Sequence, residues 1–240
     1  MSFLAGSYVS RLLVRDDFTG ESLDSSLSSP TCLSIVLVNH RCRFLFVHIP
    51  KTSGAAFREY HKKNLSSWWR RNWEEVRGAH EGLTPEIAER YPDYFKFTIV
   101  RNPWRLIASG YRFDTQGVRH NKQGVLQKRD VSVLEWLEER INDDRYGPFP
   151  CQLDYISHGG KLLVDQCCRQ ESLGNDLRDV LCKIGVAYRE EDWIAPKRHY
   201  YGEYDWKEYF RDSRVQEKVR EVCGKDFEFF GWDPDFESYL

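Results

Sequence analysis

A strand, a loop and the start of a helix follow one another in Phe44-Leu-Phe-Val-His-Ile-Pro-Lys-Thr-Ser-Gly-Ala-Ala-Phe57. The apolar run at its beginning predicts a buried strand, which Pro50 ends, and a helix can begin at Ala55. In such an arrangement the loop amides and the helix N-terminus point at an anion, and Lys51 adds a mobile positive charge. We therefore predict a phosphate or sulfate site in the segment that we call the lysine loop, Pro50–Gly54.

The order of residues in the lysine loop differs from that of the common nucleotide-binding loop. The common loop follows G-x-x-x-x-G-K-[ST], in which the lysine comes after the last glycine. Here Lys51 comes first and Gly54 follows it. The sequence thus predicts an anion site of another kind and argues against a small-molecule kinase, which remains a rival interpretation.

The bulk composition indicates a globular chain without a nucleic-acid partner. Its 240 residues suit one domain, and contents of 41% hydrophobic and 15% aromatic residues supply a core. The formal net charge of −2 disfavours nucleic-acid binding through bulk electrostatics. We expect a loosely packed N-terminal arm over residues 1–30 and a single domain over residues 31–240.

Cysteine spacing and hydropathy together predict a cytoplasmic protein. The seven cysteines lack the spacing of a disulfide framework and form no C-x-x-C motif, so we expect reduced thiols. No window approaches the ~20 apolar residues that span a bilayer. The short apolar run near the N-terminus is followed by Asp16 and Asp17, which argues against a signal peptide. We expect no membrane partner, and the sequence leaves the oligomeric state open.

Further strands and helices alternate along the chain. Additional strands are predicted at Leu33–Val38, Tyr94–Val100 and Leu162–Val164. Helices are predicted from Ala55 to about Asn64, from Pro85 to about Arg90, after Pro103, at Val131–Ile141, at Ser172–Ile184 and from about Asp212 to Cys223. Residues 114–130 are interpreted as a polar loop. The alternation predicts an α/β fold in which helices flank a central parallel β-sheet.

A second predicted strand also ends in a loop with a basic residue and a proline. Arg101 follows the predicted strand that ends at Val100, and Pro103 stops the strand ladder. Ser109 lies two helical turns further on, and a guanidinium with a serine hydroxyl suits a phosphate. Ligands of open parallel sheets gather outside the carboxyl ends of strands. The lysine loop and the segment Arg101–Pro103, which we call the arginine loop, therefore predict a ligand with two separated anionic groups, such as a bis-phosphorylated nucleotide.

Four segments resemble sulfotransferases that use 3′-phosphoadenosine 5′-phosphosulfate, in particular the branch of carbohydrate sulfotransferases and their bacterial, soluble relatives. His48-Ile-Pro-Lys-Thr-Ser-Gly54 resembles their 5′-phosphosulfate loop, and Phe97-Thr-Ile-Val-Arg-Asn-Pro-Trp-Arg-Leu-Ile-Ala-Ser-Gly-Tyr111 resembles their 3′-phosphate segment. Leu163-Val-Asp165 with Arg169-Gln-Glu-Ser-Leu173, and the ending Asp226-Phe-Glu-Phe-Phe-Gly-Trp232, resemble later segments of the family. The resemblance implies a P-loop-like sulfotransferase fold and transfer of a sulfuryl group to an acceptor hydroxyl by in-line displacement.

The resemblance also implies roles for individual residues. The 5′ end of the donor would be held by Lys51, Thr52, Ser53, Gly54, Ala55 and Ala56. Its 3′-phosphate would be held by Arg101 and Ser109. Lys51 would also follow the bridging oxygen as negative charge develops on the leaving phosphate. Many relatives carry hydroxyl side chains where this chain has Ala55 and Ala56, so the alanines are its departure from the family pattern.

The acceptor proton requires a base, for which His80 is the best candidate. It lies between the two loops in sequence and resembles a histidine found there in many relatives, although it can equally hydrogen-bond within its own loop. Glu81 can orient His80 or act as base itself. His48 is interpreted as packed rather than catalytic, and two weaker alternatives are His120 and His199.

Several other residues have both a functional and an ordinary interpretation. Lys197 and Arg198 can close over the donor phosphates or form a solvated basic pair. Trp68, Trp69 and Trp73 can form an acceptor platform or, at the spacing of Trp69 and Trp73, one helix face packed on the core. Arg169 and Glu171 are interpreted as a buried scaffold pair, and no cluster has metal-ligand spacing, so no metal is expected.

The acceptor itself is not specified by the sequence. The chain is short for a long polysaccharide cleft, which favours a small hydroxylated natural product or a short glycan. A non-enzymatic alternative also remains, because the alanines in the loop suit a degenerate family member that binds nucleotide or glycan without turnover.

Overall fold

The computed structural model describes residues 35–64, 73–76, 82–120, 126–143, 149–188 and 204–240. The strands are β1 Ile35–Asn39, β2 Phe44–His48, β3 Trp73–Val76, β4 Phe95–Val100, β5 Gln116–His120, β6 Leu126–Lys128, β7 Ser157–His158, β8 Lys161–Leu162 and β9 Gln166–Arg169. The α-helices are α1 Gly54–Asn64, α2 Pro85–Arg90, α3 Pro103–Thr115, α4 Val133–Ile141, α5 Leu173–Lys183, α6 Ser213–Val222 and α7 Gly224–Phe230. The predicted N-terminal arm, residues 1–30, lies outside the described residues.

The central sheet is mixed rather than parallel, which corrects the prediction from sequence. Its five strands run in the order β3-β1-β2-β4-β9. The pairs β2–β4 and β4–β9 are parallel, whereas β1 pairs antiparallel with both β2 and β3. The reason lies in the turn at residues 40–43, which is far too short for the crossover that parallel neighbours need. The side chain of Asn39 accepts hydrogen bonds from the amides of Arg41 and Cys42 and so stabilises that turn.

Helices cover both faces of the sheet, as the sequence predicted. Along β2 the side chains alternate, so that Phe44 and Phe46 pack with Phe57 of α1, while Leu45 and Val47 face the opposite way. The first face carries α1 and α5, and the second carries α3, α4, α6 and α7. Because both of its faces are buried, β2 is a nearly continuous apolar run rather than an alternating one.

Local signals placed the early elements correctly. The predicted start and end of α2 are confirmed, since Thr84 is its N-cap and accepts from the amide of Ile87, with Pro85 in the first turn. The helix predicted from Ala55 is confirmed as α1, and the predicted strand at Tyr94–Val100 is confirmed as β4.

The prediction of a sheet strand at Leu162–Val164 was wrong by a few residues. Lys161 and Leu162 instead pair with β7 across Gly159-Gly160, where both glycines have positive φ as a tight hairpin turn requires. The strand that joins the sheet is β9, which begins at Gln166.

The interpretation of residues 114–130 as a polar loop was also wrong. Helix α3 continues to Thr115, and β5 and β6 then form an antiparallel pair. Asp114 lies in this extension of α3 and is buried. Its carboxylate accepts from the indole of Trp136 at 3.0 Å and pairs with Arg140 at 2.7 Å, both on α4.

Cysteines and the C-terminal helices complete the comparison. The cysteines of the described residues, Cys42, Cys151, Cys167, Cys168, Cys182 and Cys223, form no disulfide. The predicted final helix is α6, and α7 follows it directly and ends at Gly231 with φ +67°. Helix α7 was missed by the sequence reasoning, which treated its residues only as a closing motif.

Candidate functional site

The lysine loop has a backbone that is unusual for residues with side chains. Lys51 and Ser53 adopt φ values of +68° and +77°, a region that non-glycine residues rarely occupy. Each such residue costs roughly 1–3 kcal/mol, and strain of this kind clusters at ligand sites. Between them, Thr52 is buried and its hydroxyl donates to the carbonyl of Ile49 at 2.9 Å. The Thr52 hydroxyl proton therefore fixes the shape of the loop rather than pointing at a ligand.

Helix α1 begins at the end of the lysine loop. The carbonyl of Ser53 accepts from the amides of Ala56 at 2.9 Å and Phe57 at 3.2 Å. The first amides of a helix, here those of Gly54 and Ala55, have no acceptor within the helix and suit an anion. Of the two predicted alanine amides, that of Ala55 is therefore placed for an anion, whereas that of Ala56 is already hydrogen-bonded.

Gly54 is required because the imidazole of His48 packs directly against it. A Cβ atom at this position would lie 2.1 Å from Cδ2 of His48, so any side chain would displace the ring or the loop. His48 is buried, and this burial, followed by the charges of Arg58 and Lys51, lowers its pKa to about 3. The interpretation of His48 as packed is thus confirmed, and the ring stays neutral at physiological pH.

Lowering the pH from 7 to 5 is expected to destabilise the protein partly through His48. In the unfolded chain a histidine takes up its proton near pH 6.5, whereas in the folded protein His48 does so only near pH 3. Between these two pKa values the unfolded state binds more protons than the folded state. The free energy of unfolding therefore decreases by about 2 kcal/mol when the pH is lowered from 7 to 5. Urea unfolding at both pH values should show that His48→Gln loses less stability than wild type. Equal losses would contradict the assignment.

The arginine loop is held by its backbone and reaches the lysine loop with its side chain. The amide of Arg101 donates to Oε1 of Gln152 at 2.7 Å, and its carbonyl accepts from Nε2 of Gln152 at 2.7 Å. Nη1 of Arg101 donates to the carbonyl of Lys51 at 3.1 Å. Parallel pairing of β2 with β4 places the two loops at neighbouring carboxyl ends of strands, and this hydrogen bond joins them.

One donor of the Arg101 guanidinium is left unused by the described residues. Its Nε is buried and has no hydrogen-bond partner among the described residues. Burial lowers the pKa of Arg101, while Tyr204 and Glu171 act in the opposite direction. A charge shielded from water interacts more strongly with an anion than an exposed one does. A buried cation of this kind suits an anionic partner.

Ser109 and Lys51 are brought to the same side of α3. The ammonium of Lys51 lies 3.7 Å from the centre of the Phe113 ring. Phe113 is one turn after Ser109, so both occupy one face of α3, with Cβ atoms that neighbour each other at roughly 5–6 Å. Lys51 thus contacts the residue one turn after Ser109 with its ammonium and accepts from Arg101 with its carbonyl.

An open cleft of about 430 Å³ adjoins the start of α1. Two of its walls come from Ser53 and Ala56, and the rest comes from residues 170–175 at the start of α5. The sequence singled out part of this second segment only as a family motif. The volume of the cleft falls within the range of roughly 300–1,000 Å³ that is typical of small-molecule sites.

Arg169 and Glu171 do not form the buried scaffold pair that the sequence suggested. Both residues are exposed, and they have different partners. The guanidinium of Arg169 donates to the carbonyl of Phe230, whereas Glu171 accepts from the amide of Asn102 at 2.8 Å. Glu171 therefore ties the cleft to the arginine loop.

The remaining predicted residues cannot be placed by the described part of the chain. The residues outside it are Trp68, Trp69, His80, Glu81, Lys197, Arg198 and His199. The backbone of Trp73 lies in β3, so this tryptophan is not on a helix, and His120 lies in β5. Within the described residues no cluster of His, Cys, Asp and Glu is arranged to hold a metal ion. None of the described helices combines the length and the apolar character that crossing a bilayer would demand.

Comparison with known proteins shows a distant similarity to a sulfotransferase. The chain is similar to carbohydrate sulfotransferase 14 of Danio rerio, with 24% identity over 252 aligned positions. The alignment covers 87% of this chain and 65% of that relative, so the chain spans slightly less than two thirds of its length. No protein-family model matches the chain, and no solved structure does either. The similarity agrees with the resemblance that the two loops carry.

Proposed function

We propose that this protein is a sulfotransferase that moves the sulfuryl group of 3′-phosphoadenosine 5′-phosphosulfate to a hydroxyl of a glycan or small natural product. The hydrogen bond from Arg101 to the carbonyl of Lys51 is the observation that carries the proposal, because it joins two anion-binding loops into one site. A donor with phosphate groups at both its 3′ and 5′ positions matches such a site. The name of the Danio rerio relative supports the same reaction and favours a carbohydrate acceptor.

The residues of the two loops fit the two ends of this donor. The 5′ end would lie on the lysine loop and the first amides of α1, with the ammonium of Lys51 beside it. The 3′-phosphate would accept from the buried Nε of Arg101 and from the hydroxyl of Ser109. The nucleoside would occupy the cleft between α1 and residues 170–175, which opens beside Ser53.

Transfer requires positioning and charge stabilisation more than covalent chemistry by the protein. The donor supplies an activated sulfuryl group: the acceptor oxygen forms the new S–O bond as the bond from sulfur to the bridging phosphate oxygen breaks. Lys51 would donate to that bridging oxygen as it gains negative charge. His80, or Glu81 in its place, would take the acceptor proton. Lys197 and Arg198 would close over the phosphates, and Trp68 and Trp69 would face the acceptor.

A binding protein without turnover is the second candidate. Ala55 is exposed and Ala56 lines the cleft, and neither offers the side-chain hydroxyl that many relatives have there. The amide of Ala55 nevertheless survives this change, because a backbone donor does not depend on the side chain.

Labelled donor and an acceptor panel test the proposed function. The thermal stability of the full chain should increase on adding 3′,5′-bisphosphoadenosine but not on adding ATP. The protein should also transfer label from the donor to an oligosaccharide or hydroxylated natural product. Mass spectrometry should find a gain of one sulfuryl group on the acceptor. Stabilisation by ATP alone would support the small-molecule kinase instead. Binding of bisphosphoadenosine without transfer to any acceptor would support the non-enzymatic alternative.

A further inference from the structure

A buried carboxylate organises the segment behind the arginine loop. Asp226, in the first turn of α7, is fully buried. It accepts from the amide of Gln152 at 2.8 Å and the amide of Leu153 at 2.9 Å. It also accepts from Nε2 of Gln152 at 3.1 Å, and the thiol of Cys151 lies 3.6 Å away. These hydrogen bonds offset part of the cost of burying the carboxylate, and burial, the larger effect, raises the pKa of Asp226.

Gln152 connects this carboxylate to Arg101. The glutamine side chain is fully buried and makes both hydrogen bonds to the Arg101 backbone that a neighbouring strand would otherwise make. The ladder between β4 and β9 stops at Val100, so Gln152 continues the support by one residue. The connection runs over long distances in the chain, 51 residues from Arg101 to Gln152 and 74 from Gln152 to Asp226.

Asp226 also determines which way the glutamine amide faces. A glutamine amide offers donors on one side and an acceptor on the other, and a half-turn of the group exchanges them. Nε2 is the atom that can donate to Asp226 and to the Arg101 carbonyl together, which leaves Oε1 for the Arg101 amide. In the opposite orientation, Oε1 of Gln152 would face the carboxylate of Asp226, which is also an acceptor. Nε2 would then face the amide of Arg101, which is also a donor.

We propose that Gln152 and Asp226 are positioning residues for the 3′-phosphate of the donor. They hold the backbone of Arg101 so that its guanidinium reaches the lysine loop with Nη1 and keeps Nε for the phosphate. This inference rests on the proposed function, since it assigns Arg101 to the 3′-phosphate. Displacement of a binding group by about 1 Å can cost up to 10²-fold in a positioned site.

The test compares two nucleotides that differ only in the 3′-phosphate. Calorimetry on the full chain should give a Kd for 3′,5′-bisphosphoadenosine that rises about tenfold in Gln152→Glu, since the second carboxylate oxygen cannot donate to both Asp226 and Arg101. The Kd for 5′-AMP should stay within twofold of wild type. Asp226→Asn should show the same selective loss. Asp154→Asn is the matched control, because Asp154 is on the adjoining turn, pairs with the exposed Lys225 and makes no hydrogen bond to Gln152 or Arg101 in the described contacts.

The possible outcomes separate the two proposals. If wild type does not prefer bisphosphoadenosine to 5′-AMP, the proposed function fails. If wild type has that preference and Gln152→Glu retains it in full, the positioning role fails. Should Gln152→Glu not fold, Gln152→Asn keeps both polar groups on a shorter arm and must show the selective loss. A general loss of both nucleotides, or failure of both variants to fold, would assign Gln152 to stability alone.

Discussion

Lys51→Ala is expected to lower the kcat of sulfuryl transfer by about 10²–10³-fold, the usual effect of removing one donor to a developing oxyanion. The lysine occupies a strained position, with φ +68°, at the mouth of the loop, and its ammonium rests 3.7 Å from the Phe113 ring. A cation–π contact is worth roughly 0.5–2 kcal/mol, depending on how far the site is shielded from water. The KM for donor should change much less, because the interaction strengthens chiefly in the transition state.

A lysine elsewhere on the molecule provides the matched control. Lys183 also lies over an aromatic ring, 5.5 Å from the centre of Phe95 at the opposite end of β4. Lys183→Ala should lose this ring contact and the hydrogen bond from Lys183 to Gln166 with no effect on kcat. Initial rates at saturating donor, with thermal unfolding of each variant, make the comparison. A Lys51→Ala enzyme with kcat within threefold of wild type would remove the lysine from the chemistry.

The two loops of the candidate site could be predicted from sequence because the parts of each loop are contiguous. The lysine loop combines a buried strand, a proline, a lysine and a helix start within a few residues, and each of these is a local signal. The arginine loop repeats the pattern after β4. Since both strands are parallel neighbours in the sheet, the juxtaposition of Lys51 and Arg101 was predictable from topology alone.

The supports of the site were not predictable in the same way. Gln152 lies in a short irregular segment and Asp226 in a helix that the sequence reasoning missed, and neither has a local signature of a role. Their proposed role depends on hydrogen bonds between residues 51 and 74 positions apart in the chain, which no window of sequence can reveal. The antiparallel direction of β1 could not be predicted from sequence for a related reason. A strand is recognisable from its composition, but its direction depends on the turn at residues 40–43 and on the partner that this turn selects.

The structure shows which groups of Ala55 and Ala56 differ from the family pattern. Ala56 lines the cleft, but its backbone amide already donates to the carbonyl of Ser53. Ala55 is exposed and its backbone amide is at the helix N-terminus. The departure from the family pattern thus falls on side chains, whereas the helix-terminal amides that suit an anion remain.

Arg101→Ala is expected to weaken binding of 3′,5′-bisphosphoadenosine by about 10²-fold. Hydrogen bonds to charged groups are worth about 1.5–3 kcal/mol each, and a factor of ten corresponds to about 1.4 kcal/mol. Arg101→Lys should recover only part of this affinity, because an ammonium keeps the charge but not the planar donor set. Arg129→Ala removes an exposed arginine that pairs with Glu139 and should leave the affinity unchanged.

A double-mutant cycle between Arg101 and Gln152 decides how these residues act together. If Gln152 contributes to the 3′-phosphate only by holding Arg101, then Gln152→Glu should cost about tenfold in wild type and almost nothing once Arg101 is alanine. The coupling measured by calorimetry would then equal nearly the whole effect of Gln152→Glu. Additive effects would instead mean that Gln152 influences the nucleotide by a route independent of the guanidinium. The expected non-additivity follows from the geometry, since Gln152 hydrogen-bonds both backbone groups of Arg101.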